Sequence, residues 1–338
     1  MKIAVIFGGR SAEREVSIAS GVQVFKALKG LGHEVLAVDT AKGVLGPSDE
    51  MRFLSAHVQP MPPSSNALAL IRSGPTELLA WPGLADIDVF FLALHGGAGE
   101  DGTLQSYLDV MGIPYTGSSH MPSVYAMDKD IAKRIFCTAN IPTPEWLMTP
   151  CTLGEVKKRL GFPVVVKPNK QGSTIGLTVV TDAKKLDSAI DEAYQHDDEV
   201  MIEKFIPGRE LTVGILEDRA LTVGEIIPHR SEVFDYQSKY QEGGATEIFP
   251  AKLSPVQTRT IQHLGLKAHH ALKLQDYSRI DFRMDLQGGI WCLEANSLPG
   301  LTSTSLLPQS AAAAGISFPQ LCERICQLAI NRHKAKRH

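Results

Sequence analysis

The chain has 338 residues, with 37 acidic and 34 basic side chains giving a formal net charge of −3, and 43% hydrophobic residues. That length predicts two or three domains with ample core, and the near-balanced charge leaves no basic footprint for nucleic acid. The five cysteines form no CxxC pair, so neither a disulfide framework nor a zinc site is indicated, and with no signal peptide and no apolar run near ~18 residues the expectation is a soluble, cytoplasmic protein with no membrane partner.

Lys2–Phe7 reads as a buried strand ending in Gly8-Gly9, followed by a helical pattern through Val16, Val22, Phe25 and Leu28 and a second strand over His33–Asp39, so a βαβ unit opens the chain. Residues 40–85, with Pro47, Pro60, Pro62, Pro63 and Pro75, read as irregular, with short strands or a surface insertion. Asp88–Leu94 is another buried strand. It delivers His95-Gly96-Gly97-Ala98-Gly99-Glu100-Asp101-Gly102 at its carboxyl end, before a helix over Thr103–Met111, and in open parallel sheets ligands collect at that edge.

Gly112–Gly117 marks a boundary, after which Met127–Ala139 is expected as one helix, Phe162–Pro168 as a strand and Asn169–Gly176 as a polar, glycine-containing loop. A helix over Asp182–Tyr194 and a strand over Val200–Glu203 complete a small α+β unit. Further strands follow, then a loop at 234–247, a hairpin near the end and a terminal helix containing Leu321, Ile325 and Leu328, in which Cys322 and Cys326 read as small buried hydrophobes. The tail His333–His338 is locally cationic and reads as a frayed, solvated terminus.

The hairpin is the most informative stretch. Period-two alternation places Arg279 and Asp281 on one face of its first strand and Glu294 and Asn296 on one face of the second. Three hard oxygen ligands and a guanidinium converge there, which suits Mg²⁺ shared with substrate phosphates, although a half-exposed hairpin shows the same alternation without any ligand. Elsewhere, Gly97-x-Gly99-x-x-Gly102 matches the dinucleotide fingerprint only formally, because no acidic residue ends a strand about 20 positions on. No Walker A sequence exists, so a phosphate cradle must come from another loop. Lys170–Gly176 offers backbone N–H groups and hydroxyls, with Lys167 at the end of an apolar strand and Lys129 at the start of a helix; singly, each lysine also reads as a surface residue.

Seven segments in order carry a resemblance: Phe7–Ser17, His95-Gly96-x-x-Gly99-Glu100-Asp101-Gly102, Met127-Asp128-Lys129, Val166-Lys167-Pro168 with Gly172-Ser173, Glu203–Glu210, Tyr236-x-x-Lys239-Tyr240, and Glu294-Ala295-Asn296-x-x-Pro299-Gly300. Together they resemble the ATP-grasp superfamily and, within it, the D-alanine-D-alanine ligases. The resemblance implies an α/β and α+β chain: a Rossmann-like parallel-sheet domain over 1–117, a central ATP-grasp subdomain over 118–202, and a C-terminal subdomain over 203–338 with the metal site and the omega loop. It implies ATP-dependent ligation through an acyl phosphate for peptidoglycan synthesis, and a homodimer.

Residue by residue, the resemblance implies Lys129 and Lys167 on the ATP phosphates, Glu203, Lys204 and Ile206 along the adenine, and Glu210 on the ribose. Asp281, Glu294 and Asn296 match the ligands of two Mg²⁺ ions, with Mn²⁺ as a substitute. Arg279 and the Gly300 N–H match the oxyanion donors, and Glu13, linked through Ser173 to Tyr240, matches the receptor of the first ammonium. Lys239 and Ser305, near Leu306, are expected to meet the second carboxylate, with His95 close by. Tyr240 favours an amine as acceptor over a hydroxyl. Phe249 in place of the family's cysteine and the segment Ser118–Pro122 depart from the pattern, motivating an alternative in which the acceptor is D-serine, D-lactate or another amino acid. A non-catalytic ATP or amino-acid sensor is a third reading, disfavoured because it has no need of the whole phosphoryl-transfer set.

Overall fold

An apolar run in which five of six residues are fully buried needs cover on both faces. In the computed structural model, which describes residues 1–55, 83, 84, 86–229 and 244–336, that run is β1 (Lys2–Phe7), parallel to β2 (Glu34–Asp39) on one side and β4 (Val89–Leu92) on the other. A short β3 (Gly43–Val44) pairs antiparallel with β2 at the edge. The crossover helix α1 (Arg14–Gly30) lies so close to the sheet that a Cβ on Gly21 would stand 2.9 Å from Cβ of Phe7.

The stretch after β2 is not irregular throughout. Pro47–Leu54 forms α2, with the proline at the helix start and Asp49 and Glu50 in its first turn. Proline breaks helices only in their interior; at the first turn its missing N–H costs nothing. Phe53 stacks on Phe7 with ring centroids 4.2 Å apart. The remainder of that expectation, 56–82 and 85, lies outside the described residues.

Thr103–Met111 is helical as expected (α3), and the helix expected over Met127–Ala139 runs over Lys129–Thr138, with Met127 closing a separate helix before it, so the region holds two. The first, α4, covers His120–Met127 and includes part of the Ser118–Pro122 segment; the second, α5, covers Lys129–Thr138. The break is Asp128, whose backbone is extended and whose carboxylate accepts from the Ile131 N–H at 3.0 Å. An N-cap of this kind satisfies a donor that the helix leaves open, and it fixes Lys129 as the first helical residue.

Two antiparallel sheets complete the architecture. One contains, in order, β5 (Trp146–Met148), β8 (Val200–Lys204), β6 (Val164–Pro168) and β7 (Thr178–Val180). It packs against α6 (Leu153–Arg159), started by a Thr152/Glu155 capping box, and α7 (Leu186–Tyr194). The other has the order β11 (Ala245–Ile248), β10 (Arg219–Pro228), β9 (Gly208–Leu216), β12 (Tyr277–Asp285), β13 (Ile290–Asn296), with α8 (Pro255–Ala271) against it. Of the loop expected at 234–247, residues 245–247 are therefore strand and 234–243 lie outside the described residues.

After α9 (Leu306–Ala313), the terminal helix α10 runs from Phe318 to Lys336, through most of the tail expected to fray. Leu321, Cys322, Ile325, Cys326 and Ala329 join the apolar cluster of β1 and β4, so the end of the chain closes over its beginning. Burial raises both thiols, in keeping with inert core packing.

Candidate active site

Strands β12 and β13 set Arg279 opposite Asn296 and Asp281 opposite Glu294. Directly paired residues on antiparallel strands share a face, so the four side chains converge as their spacing predicts. Arg279 grips Asp281 with Nε at 3.0 and 3.2 Å from the two carboxylate oxygens and Nη2 at 2.9 Å. Asp281 also accepts from Thr212 Oγ1 at 2.7 Å and from Asn296 Nδ2 at 3.0 Å. The Asn296 amide nitrogen is thereby committed, leaving its oxygen as the atom offered to a cation. Two carboxylates and an amide oxygen fit a hard divalent ion that completes its shell with phosphates and water. Among the described residues no cluster of three His, Cys, Asp or Glu side chains exists that would cage a metal without such help.

Three lysines stand opposite. Lys129 Nζ donates to the Gln171 carbonyl at 2.7 Å and lies 3.6 Å from Glu294 Oε2. Lys167 Nζ donates to Glu203 Oε2 at 2.8 Å, and Lys133 Nζ to Glu203 Oε1 at 2.6 Å. Burial pushes the Glu203 carboxyl up, but Lys133 and Lys167 together outweigh it and hold the group below the usual carboxylate range. Sequence reading missed Lys133; the signal was its place one turn after Lys129, between the core residues Ala132 and Phe136.

Lys129, Lys167 and Glu203 border a narrow cleft of about 110 Å³, lined also by Lys204, Ile206 and Glu210 among others. Arg283, fully inside this wall, donates to the Ile206 carbonyl at 3.0 Å and pairs with Glu210 at 3.2 Å. A second cavity of about 730 Å³ adjoins it through Lys129, Arg279 and Glu294 and is lined by Glu13, His95, Gly300, Ser305 and Leu306.

Glu13 in that larger cavity accepts a hydrogen bond from Ser173 Oγ, which reaches it from the glycine-containing loop. The carboxylate is held between two glycines: a Cβ on Gly96 would stand 2.8 Å from Glu13 Oε2 and one on Gly172 2.7 Å. Ser173 and Thr174 adopt φ of 51° and 63°, a left-handed pair that is strained for side-chain-bearing residues and marks the loop's tip. His95 is buried, with Nε2 2.9 Å from Ser20 Oγ and Nδ1 3.1 Å from the Leu298 carbonyl. A carbonyl only accepts, so Nδ1 carries the proton, and burial keeps the imidazole's pKa below its ordinary value.

Two further acids line the larger cavity and were assigned no role from sequence. Glu100, part of the His95–Gly102 pattern, accepts from the Gly96 N–H at 3.0 Å; burial, with the nearby Glu13 charge, raises its pKa to about 7. Glu247 on β11, bonded by the Gln309 amide, is also raised by burial. At the cavity's far side Ser305 Oγ accepts from the Thr302 N–H at 3.1 Å, and a Cβ on Gly300 would approach it to 2.9 Å. Lys239 and Tyr240 lie outside the described residues.

Neither sequence departure lines these cavities. Phe249 packs its ring over Gly224, where a Cβ would come within 2.2 Å of it. Ser118 Oγ accepts from the Gln275 N–H at 3.0 Å, and His120 Nδ1 sits 3.0 Å from the Gly102 carbonyl. The glycines of the formal dinucleotide match serve packing: Gly97–Gly99 is a single tight turn in which a Cβ on Gly99 would stand 2.6 Å from Leu94.

The whole length of the chain has counterparts. Residues 2–118 match the family model "D-ala D-ala ligase N-terminus" and residues 137–327 match "D-ala D-ala ligase C-terminus". The chain belongs to the D-alanine-D-alanine ligase family. A D-alanine--D-alanine ligase of Citrifermentans bemidjiense is 40% identical over 329 residues, covering 97% of this chain and 96% of the relative, and one from a Synechococcus species is 37% identical over 337 residues, covering 98% and 94%. Among solved structures, the Bacillus anthracis ligase complexed with ATP superposes with a TM-score of 0.79 at 32% identity over 99% of both chains. The Coxiella burnetii ligase gives 0.81 at 26% identity over 100% of this chain and 96% of the other. The fold is thus the ATP-grasp arrangement of this ligase family, preceded by a parallel-sheet unit. Among the described residues no helix is long and apolar enough to cross a membrane.

Proposed function

We propose that this chain joins two D-alanine molecules into D-alanyl-D-alanine with one ATP, for peptidoglycan precursor synthesis. The observation that carries this reading is the shared wall: the metal-suited face of Asp281, Glu294 and Asn296, with Arg279 and Lys129, stands between a narrow cleft lined by lysines and a larger polar cavity. A phosphoryl group delivered from the first meets a carboxylate held in the second. The first D-alanine's carboxylate attacks the γ-phosphorus and ADP leaves. The second amino acid's amine then attacks the acyl carbon, and phosphate departs as the amine loses its proton.

In this reading Lys129 and Lys167 steady the phosphates, Glu203, Lys204 and Ile206 border the adenine, and Glu210 takes the ribose. Phosphoryl transfer asks mainly for positioning and charge neutralisation, and these side chains supply both. Mg²⁺ or Mn²⁺ held by Asp281, Glu294 and Asn296 would add neutralising charge at the phosphates when bound. Arg279 and the Gly300 N–H take the oxyanion of the tetrahedral intermediate. Glu13 receives the first ammonium, Ser305 and Lys239 the second carboxylate, and His95 borders the same subsite. Ser173 and Tyr240 hold the loop that keeps water from the acyl phosphate. The same proposal includes three units, each built on one sheet, a homodimer and a cytoplasmic location.

Because Phe249 and Ser118–Pro122 line neither cavity, the reading with a changed acceptor loses the features that motivated it. The test is ADP release by the purified protein with ATP and Mg²⁺, comparing D-alanine alone with D-alanine paired with D-serine, D-lactate or L-alanine, each product identified by mass. D-alanyl-D-alanine as the main product is expected. ATP binding without turnover on D-alanine would overturn the proposal in favour of another acceptor or a sensor.

A further inference from the structure

Lys133 is a fully buried lysine that lines neither cavity, yet it touches the group that touches the cleft. Its Nζ donates to Glu203 Oε1 at 2.6 Å and to Thr143 Oγ1 at 2.5 Å, and lies over the Trp146 ring 5.0 Å from the centroid. Glu203, 3% exposed, gives its other oxygen to Lys167 at 2.8 Å. Two ammonium groups thus share one carboxylate. One of them is enough to neutralise it; burial lowers the Lys133 pKa and the Glu203 charge opposes that, and with both lysines protonated the trio carries one positive charge in excess.

The two lysines differ in what they can do with that excess. Lys133 is enclosed by Thr143, Trp146 and Glu203 and has no path to the cleft. Lys167 lies on the cleft wall. We propose that Lys133 is a positioning residue for nucleotide binding: it serves as the permanent counter-ion of Glu203, so that Lys167 can turn from Glu203 to an anionic phosphate without stranding a buried carboxylate. A buried charge left without its partner is strongly unfavourable, so in the absence of Lys133 the carboxylate would retain Lys167 for itself. The sequence separation suits the division of labour. Lys129 and Lys133 stand one turn apart on one face of α5, the first exposed to the cleft and the second one layer deeper.

The inference rests on the narrow cleft being the nucleotide site, which ADP titration of the unaltered protein tests by itself. With that binding established, Lys133→Met is expected to weaken ADP and ATP affinity on the order of tenfold or more, the size of one charge-assisted hydrogen bond, while leaving the KM for D-alanine in place. Lys133→Arg restores a positive charge beside Glu203 and is expected to recover most of the lost affinity. A purely structural role for Lys133 makes the opposite forecast, since methionine fits the space beside Thr143 and Trp146 better than the larger guanidinium does. Unchanged nucleotide affinity in Lys133→Met, or a Lys133→Arg variant weaker than Lys133→Met, overturns the proposal. If Lys133→Met does not fold by thermal melting, the nucleotide-bound crystal structure of the unaltered chain decides: Lys167 on a phosphate with Lys133 still on Glu203 supports it, and an intact Lys167–Glu203 pair sinks it.

Discussion

In the narrow cleft, charged side chains meet opposite charges at close range: Lys133 and Lys167 on Glu203, Arg283 on Glu210, Arg279 on Asp281. In the adjoining larger cavity the balance runs the other way. Glu100 and Glu247 are half-buried with their pKa values raised, and His95 is buried with its own lowered. The cleft fixes charge by pairing it, while the cavity lets burial govern protonation. For a phosphate donor that stays anionic across the working range, fixed positive charge is the useful provision. Amino acids that gain and lose protons during ligation call instead for surroundings in which protons can be held or released. The difference predicts that changes at the shared wall remove turnover outright, that pH sensitivity arises in the cavity, and that the loop contact affects one substrate and not the other.

The largest effect is expected at the wall. Asp281→Ala removes a carboxylate that anchors Arg279, Thr212 and Asn296 and offers oxygen to a metal, so ADP formation at millimolar Mg²⁺ should fall to background. Retained turnover would take Asp281 out of the metal set and separate the two cavities functionally. Next is Arg279→Met, which should lower kcat roughly 10²–10³-fold, as removing one oxyanion donor does, with ATP affinity measured in parallel. If affinity for ATP fell and kcat did not, Arg279 would belong to the cleft's charge pairing and not to the chemistry between the cavities.

The same contrast explains what could be read from the chain before its structure. The β12–β13 hairpin was legible because strand alternation has a fixed period, and Arg279, Asp281, Glu294 and Asn296 share a face in the register that period demands. The buried partners were not. A lone lysine such as Lys133 looks like any surface lysine until the fold shows Glu203, 70 residues away, beside it. Glu100 sat inside a recognisable pattern, but only burial beside Glu13 gives it an unusual pKa. Helix α2 was missed where Pro47 read as part of an irregular stretch, α4 was not read at all, and α6 was missed although Thr152 and Glu155 form a readable capping box. That α10 packs on the first sheet has no local signal at all, since an amphipathic pattern names an apolar face and not its partner.

A third change tests whether burial governs protonation in the cavity. The pKa of Glu100 rises from 4.5 to about 7, so between these values the folded state keeps a proton that the unfolded state has lost. The stability tied to that proton is full below pH 4.5 and disappears as pH climbs through 7, amounting to about 3 kcal/mol. Glu100→Gln keeps the shape and cannot lose a proton, so its melting temperature should decline less between pH 5 and pH 8 than that of the parent, with the variant the more stable at the upper end. Parallel curves would mean that Glu100 titrates alike in both states and that the cavity is wetter than its burial implies.

The smallest expected effect is at Ser173, whose hydroxyl ties the loop to Glu13. Ser173→Ala deletes the hydrogen bond to Glu13, a loss of about 1 kcal/mol, and leaves Glu13 still enclosed by Gly96 and Gly172. Because the bond ends on a carboxylate of the larger cavity, the KM for D-alanine should rise several-fold with little change in kcat or in ATP affinity. The loop also borders the cleft, through Gly172, Ser173 and Thr174, so an equal loss of ATP affinity is the informative alternative. It would show that the strained pair Ser173-Thr174 closes both cavities as one lid, and that the division between paired charge and governed protonation holds only while the loop is open.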